Sequence, residues 1–191
     1  GIADAKQKAL EERAARQGLE ARSPFYGLFL FASQSLNGLW TTTTIQAALA
    51  AWLIWLLWRT LAPGAPRWTA YGVQAITAVG STLPFFAGFA MPDVFAGYIA
   101  LAVVILVAAW DKLSLWERWA LALLLGFCCT VHGSHGLLIL GLLGVSAIGA
   151  LLVKAPSRRL LAPLATLVLV LAGGYGINAA YMKSVQIQTG D

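Results

Sequence analysis

Residues 92–112 read PDVFAGYIALAVVILVAAWDK, an apolar run with an acidic residue near each end. From Val94 to Trp110 the run contains no Asp, Glu, Lys, Arg or His. As an α-helix, this stretch measures about 25 Å, close to the hydrocarbon thickness of about 30 Å in a bilayer. The pattern predicts a membrane-spanning helix with Asp93 isolated at one of its ends.

The composition of the whole chain agrees with this interpretation. Of its 191 residues, 59% are hydrophobic and 11% are charged, and the mean hydropathy is +0.75. Soluble domains carry about 25% charged residues, so the composition predicts a polytopic integral membrane protein. The net charge of +5 does not indicate a nucleic-acid partner, because basic residues in membrane proteins mostly mark cytoplasmic loops. We therefore expect membrane lipids as partners and no nucleic acid.

The apolar runs predict an all-α fold, a polytopic integral membrane helical bundle of about six transmembrane helices plus an N-terminal surface helix. The predicted spans cover about 40–58, 68–90, 93–110, 115–131, 136–153 and 160–180. The stretch from Trp119 to Val153 has no Asp, Glu, Lys or Arg, but as one helix it would measure about 50 Å. We therefore expect the chain to turn at HGSHG, residues 132–136.

The connections between these predicted spans alternate in charge. Lys and Arg occur in the first, third and fifth connections, at 59–67, 111–118 and 154–159. The second and fourth connections, 84–92 and 132–135, contain neither residue. The positive-inside rule places the basic connections in the cytoplasm. Asp93, His132 and His135 are therefore expected together on the non-cytoplasmic face.

The same orientation divides the chain into four parts. Residues 1–24 are predicted to form a charged non-cytoplasmic surface helix, because 3–22 combine good helix formers with nine charged side chains. Residues 25–39 are apolar but short, which favours an interfacial or re-entrant segment. The transmembrane bundle follows at 40–180, and 181–191 are expected to form a non-cytoplasmic tail.

Each polar residue at the non-cytoplasmic face has more than one interpretation. Asp93 follows Pro92, so its carboxylate could cap a helix N-terminus, and a carboxylate at membrane depth is also a functional-site candidate. His132 and His135 could bind an anionic group, make interfacial hydrogen bonds or share a metal. A metal site is disfavoured, since no Cys, Asp or Glu lies within a few residues. No P-loop, GxGxxG, HExxH or Ser-His-Asp pattern is present.

Several stretches together resemble polytopic membrane glycosyltransferases of the C superfamily (GT-C). They are RSPFYGLFLF at 22–31, IQAALAAWLIWLLWR at 45–59, LPFFAGFAMPDVFAGYIALAVVIL at 83–106 and HGSHGLLIL at 132–140. The resemblance covers about residues 22–180 and is closest to bacterial proteins of that type. It implies transfer of a sugar from a polyprenyl-phosphate donor at the periplasmic face of the bacterial inner membrane.

The resemblance also implies roles for particular residues. Asp4 corresponds to the acidic position of the family's first external loop, and Asp93 is the second candidate catalytic carboxylate. Candidate donor-binding residues are Arg22, Tyr26, His132 and His135. No metal or cofactor is expected besides the lipid-linked sugar.

This chain departs from the family pattern at its beginning. The first span and most of the first external loop have no counterpart, so we expect a fragment or a truncated relative. The alternative is a non-catalytic integral membrane subunit that packs against a larger membrane protein complex. A transporter is disfavoured, because the span interiors carry no ionised residue and no internal repeat is visible.

Overall fold

The computed structural model describes residues 24–89, 91–152 and 157–189. Residues 1–23 of the predicted surface helix at 1–24, with Asp4 and Arg22, lie outside these residues. All regular structure in the described ranges is helical, as expected. The helices are α1 (Pro24–Asn37), α2 (Leu39–Leu61), α3 (Trp68–Gly80), α4 (Leu83–Gly88), α5 (Val94–Ala109), α6 (Leu115–Val131), α7 (Gly133–Leu152) and α8 (Ser157–Thr189), with a 3₁₀ turn at Trp110–Lys112.

The first two helices form a tight hairpin. Gly38 alone separates them and has a φ of 65°, in the left-handed region that glycine adopts without steric cost. Beyond the turn, the buried hydroxyls of Ser33 and Thr42 hydrogen-bond to each other and join the two helices. With 14 residues, α1 is about 21 Å long, shorter than the hydrocarbon layer. Its predicted interfacial or re-entrant placement stays a prediction.

Within the described residues, four helical stretches are long and apolar enough to cross a membrane. They are Leu39–Leu61, Val94–Lys112, Gly133–Leu152 and Leu160–Val185. They support the expectation of an integral membrane protein, whereas the count of about six spans is not confirmed. The predicted span at 115–131 coincides with α6, which has 17 residues. The one at 68–90 is divided into α3 and α4, of 13 and 6 residues.

The division between α3 and α4 has a local cause. Ser81 adopts an extended conformation with ψ 168°, and its hydroxyl donates to the Thr77 carbonyl at 2.6 Å. The same hydroxyl accepts from the Leu83 backbone N–H at 3.2 Å. Pro84 lies in the first turn of α4, where its missing N–H would have no intrahelical partner and its fixed φ suits a helix start. A side chain that bonds back to the backbone therefore ends one helix and starts the next.

The central helix of the bundle is α5, which packs against α2, α4, α6, α7 and α8. Most of its side chains are buried, and Phe95, Tyr98 and Leu106 have no exposed surface, whereas Val104 on its outer face is exposed. A helix that is apolar all round occupies the interior of a bundle. The surrounding helices expose large apolar side chains such as Leu151, in keeping with a lipid environment.

An ion pair ties together the end of the bundle that is predicted to be cytoplasmic. Glu117, at the start of α6, contacts Arg59, at the end of α2, through two N–O pairs at 2.9 and 3.0 Å. Glu117 also forms a capping box with Ser114, which satisfies two backbone N–H groups at the start of α6. One side chain therefore fixes both the start of α6 and its position against α2.

The last helix differs from its prediction. The span was expected to end near 180 and a tail to follow, but α8 continues to Thr189. The sequence from Met182 to Thr189 contains neither glycine nor proline, so no residue in it interrupts a helix. The predicted boundary at 180 was based on the fall in hydropathy, which ends a membrane span but does not by itself end a helix.

The orientation of the bundle can be tested with single cysteines. In a chain with Cys128→Ala and Cys129→Ala, we expect Gly133→Cys to react with an impermeant maleimide added outside intact cells. Gly64→Cys should react only after the membrane is permeabilised. Both glycines have open space around an added Cβ, so the changes should be tolerated.

Labelling of both variants in permeabilised cells is the control for reactivity. Labelling of Gly64→Cys from outside together with protection of Gly133→Cys would contradict the predicted orientation.

Candidate functional site

The candidate site lies where α4 ends and α5 begins. Asp93 is at the N-cap position of α5 and is exposed, but its side chain accepts no capping hydrogen bond. The capping interpretation is therefore wrong. A capping carboxylate requires an extended backbone, whereas Asp93 is already helical with φ −62° and ψ −26°. The carboxylate is left available for another role.

Gln46 of α2 connects the junction between α4 and α5 to the core. Its side chain has no exposed surface, and its amide nitrogen, placed by the hydrogen-bonding environment, donates to the carbonyls of Ala87 at 3.0 Å and Phe89 at 3.3 Å. Its own backbone carbonyl accepts from the Tyr98 hydroxyl at 2.7 Å. The amide therefore satisfies carbonyls that the end of α4 leaves without helical partners.

Tyr26 reaches the same place from α1. It is 8% exposed, and its buried hydroxyl lies within hydrogen-bonding reach of the Gln46 side-chain amide. Burial raises the pKa of Tyr26 to about 12, the neighbouring Gln46 amide lowers this pKa in part, and the charge of Asp93 raises it. The Tyr26 hydroxyl therefore keeps its proton at neutral pH and can donate a hydrogen bond to a ligand.

His135, on the first turn of α7, completes the cluster. It is 3% exposed, and its Nδ1–H donates to the Cys128 carbonyl at 3.1 Å, which leaves Nε2 as the nitrogen able to accept a proton. Asp93 acts electrostatically on His135 as it does on Tyr26. The His132 ring lies 5.3 Å from the His135 ring, and its Nδ1 accepts from the Ser134 hydroxyl at 2.8 Å.

The structure brings together Tyr26, Asp93, His132 and His135, four of the six residues singled out from the sequence. The other two, Asp4 and Arg22, lie outside the described residues. No group of three His, Cys, Asp or Glu side chains in the described ranges could hold a metal ion. Sequence reasoning assigned no role to Gln46 or Tyr98. The sequence does contain one signal for Gln46, because its amide side chain lies inside the apolar run that follows TTTT at 41–44.

Comparison with known proteins adds no relative: no family model, curated protein or solved structure matches this chain. The helices and composition define the class of the protein, an all-helical integral membrane protein. Within that class, its chemistry is argued from the cluster around Asp93.

Proposed function

We propose that this chain is part of a GT-C-like membrane glycosyltransferase that transfers a sugar from a polyprenyl-phosphate donor. The observation that supports the proposal is the convergence of Tyr26, Asp93 and His135 at one end of the bundle. These residues belong to three separate stretches, RSPFY, PDVFAG and HGSHG, on which the resemblance rests. The packing of an apolar helical bundle does not by itself require a phenol, a carboxylate and an imidazole at the same end of the bundle.

The roles follow from the chemistry of the groups. The exposed Asp93 carboxylate takes the proton of the acceptor hydroxyl, and the acceptor oxygen then bonds to the anomeric carbon of the sugar. The bond between that carbon and the phosphate oxygen breaks, and its electrons leave with the polyprenyl phosphate. Tyr26 and His132 donate hydrogen bonds to the donor, and His135 accepts one from the donor through Nε2. Asp4 and Arg22 keep the roles that the resemblance implies.

The proposed location is the bacterial inner membrane, with the site at its periplasmic face. Two features support this location. In the predicted topology, the basic connections lie on the opposite side of the membrane from Asp93. The polyprenyl chain of the donor is embedded in the bilayer, and its sugar lies at the membrane surface. A site at the N-terminal end of α5 would therefore lie at the same level as the sugar.

A second candidate function, a non-catalytic subunit of a larger membrane complex, has its own supporting observation. One face of α7 carries Gly141, Gly144, Val145 and Ile148 at helical spacing, and all four are exposed. An added Cβ at either glycine would meet no neighbour within 4 Å. Small residues on an open helix face allow a helix of another protein to approach closely.

The two candidates are separated by Asp93→Asn. Membranes that contain the full chain are supplied with undecaprenyl-phosphate-linked hexoses, and the release of undecaprenyl phosphate is measured. We expect Asp93→Asn to lower this release by at least about tenfold, a loss of roughly 1.4 kcal/mol in transition-state stabilisation. The melting temperature should stay unchanged, because the carboxylate makes no capping bond.

Asp111→Asn is the matched control, since it removes a carboxylate at the opposite end of α5 and should leave release unchanged. Full activity of Asp93→Asn would contradict the role of Asp93 as the base. Release no greater than in membranes without the protein would contradict the enzyme proposal and favour the subunit.

A further inference from the structure

A second site lies at the opposite end of the bundle, where α2, the connection 62–67 and α3 enclose a cavity of about 610 Å³. Two arginines and three aromatic side chains dominate its lining, and the other lining residues are alanines and a proline. The arginines are Arg59 and Arg67, and the aromatic residues are Trp55, Trp58 and Tyr71. Cations beside indole and phenol rings at the end of a membrane-crossing helix are typical of the level of lipid head groups.

The charges of this cavity leave one cation unbalanced. Arg59 is held by both oxygens of Glu117, and its guanidinium carbon lies 4.7 Å from the centre of the Trp55 ring. Arg67 is exposed and makes no ion pair with any residue that the structure describes. Because Glu117 balances Arg59, the cavity carries a net charge of one, supplied by Arg67. A ligand with a single negative charge matches this balance.

An apolar groove lies along the same pair of helices as the cavity. About one helical turn deeper, between α2, α3 and α4, this groove of about 280 Å³ begins at Ile54, next to Trp55. Half of its lining residues are alanines, and the side-chain amide of Gln74, another lining residue, donates to the Ala51 carbonyl at 3.2 Å. A soluble anion would gain nothing from contact with an apolar groove, whereas the acyl chain of a lipid would bury apolar surface by lying along it.

We propose that the cavity and the groove bind one diacyl phospholipid with a singly charged phosphodiester head group. Arg67 pairs with the phosphodiester, Arg59 is held in place to donate from its remaining N–H groups, and the aromatic rings cover the glycerol region. One acyl chain follows the seam between α2 and α3. The head-group cavity shares no residue with the cluster around Asp93, and the proposal stands whether or not that cluster transfers sugars.

The test uses the full chain in neutral detergent with phosphatidylglycerol and phosphatidylcholine, and native mass spectrometry counts the bound lipids. We expect the wild type to retain one phosphatidylglycerol in preference to phosphatidylcholine. Arg67→Gln should lower that preference by about fivefold, the ratio expected for one basic residue near a lipid surface. The matched control is Lys183→Gln, which removes an exposed cation from α8 and should leave the preference unchanged.

The remaining outcomes each overturn the proposal. Equal retention of phosphatidylglycerol by Arg67→Gln and the wild type would show that Arg67 does not hold the head group. An equal loss in Lys183→Gln would indicate attraction by net charge alone. Full displacement of the lipid by millimolar glycerol 3-phosphate would indicate a site for a soluble phosphate.

Discussion

Gly174→Ala is expected to lower the free energy of unfolding by about 1–3 kcal/mol, the range for overpacking a close contact. The packing of α6 against α8 places the backbone of Gly174 directly over Cys129. An added Cβ would overlap the Cys129 Cβ and lie 3.3 Å from its Sγ. A Cβ cannot rotate away, because its position is set by the backbone, so one of the two helices must shift. The melting temperature in detergent would measure the loss.

The neighbouring glycine provides a matched control. Gly173→Ala adds the same methyl group on the same helix, but no atom lies within 4 Å of the new Cβ, so stability should stay the same or rise slightly. Adding Cys129→Gly to Gly174→Ala should recover part of the loss, whereas Cys129→Ala should not, because alanine keeps the Cβ. Equal destabilisation by Gly173→Ala and Gly174→Ala would contradict the close contact.

The second large effect is expected at Glu117. Glu117→Ala should lower the free energy of unfolding by about 2–4 kcal/mol, because it removes the capping box of α6 and leaves Arg59 without its partner. Glu117 is 7% exposed, and Arg59 is partly open to solvent, which keeps the expected loss below that of a fully buried pair. Glu117→Gln should lose less, since its amide oxygen can still accept from the Ser114 backbone N–H.

The pH dependence of stability offers an independent measurement at the same residue. Burial alone would raise the pKa of the Glu117 carboxyl, but hydrogen bonds from Arg59 and Ser114 hold that pKa below its ordinary value of 4.5. A carboxyl with a lowered pKa stabilises the fold above the unfolded-state pKa and loses that contribution as the pH falls through the folded-state pKa. We therefore expect the melting temperature to fall below about pH 4 in the wild type, with a smaller fall in Glu117→Gln.

A double-mutant cycle separates the ion pair from the cap. Arg59→Met with Glu117→Gln should cost less than the sum of the two single changes, because the double variant leaves no charge without a partner. Additive losses would mean that Arg59 and Glu117 stabilise the fold independently and would contradict their coupling.

The candidate site could be predicted only in part. The charge alternation of the connections placed Asp93, His132 and His135 at one face, and the structure brings these three residues together. The role of Asp93 as a cap was wrong, because residue preference suggested it but the backbone conformation did not allow it. Gln46 stands out locally as an amide in an apolar run, but its partners are two carbonyls about forty residues away, and the local sequence does not identify them.

The sequence by itself determined the class of protein and the approximate positions of most helices. Hydropathy is a sum over neighbouring residues, so apolar runs such as 94–110 are visible without knowledge of the fold. Only the tertiary structure decided that Gly174 lies against Cys129 and that the Gln46 amide meets the end of α4. These features depend on which helix faces meet, and apolar helices of similar composition can pack in many ways. The choice among those packings comes from shape and hydrogen bonding between residues that are distant in the sequence.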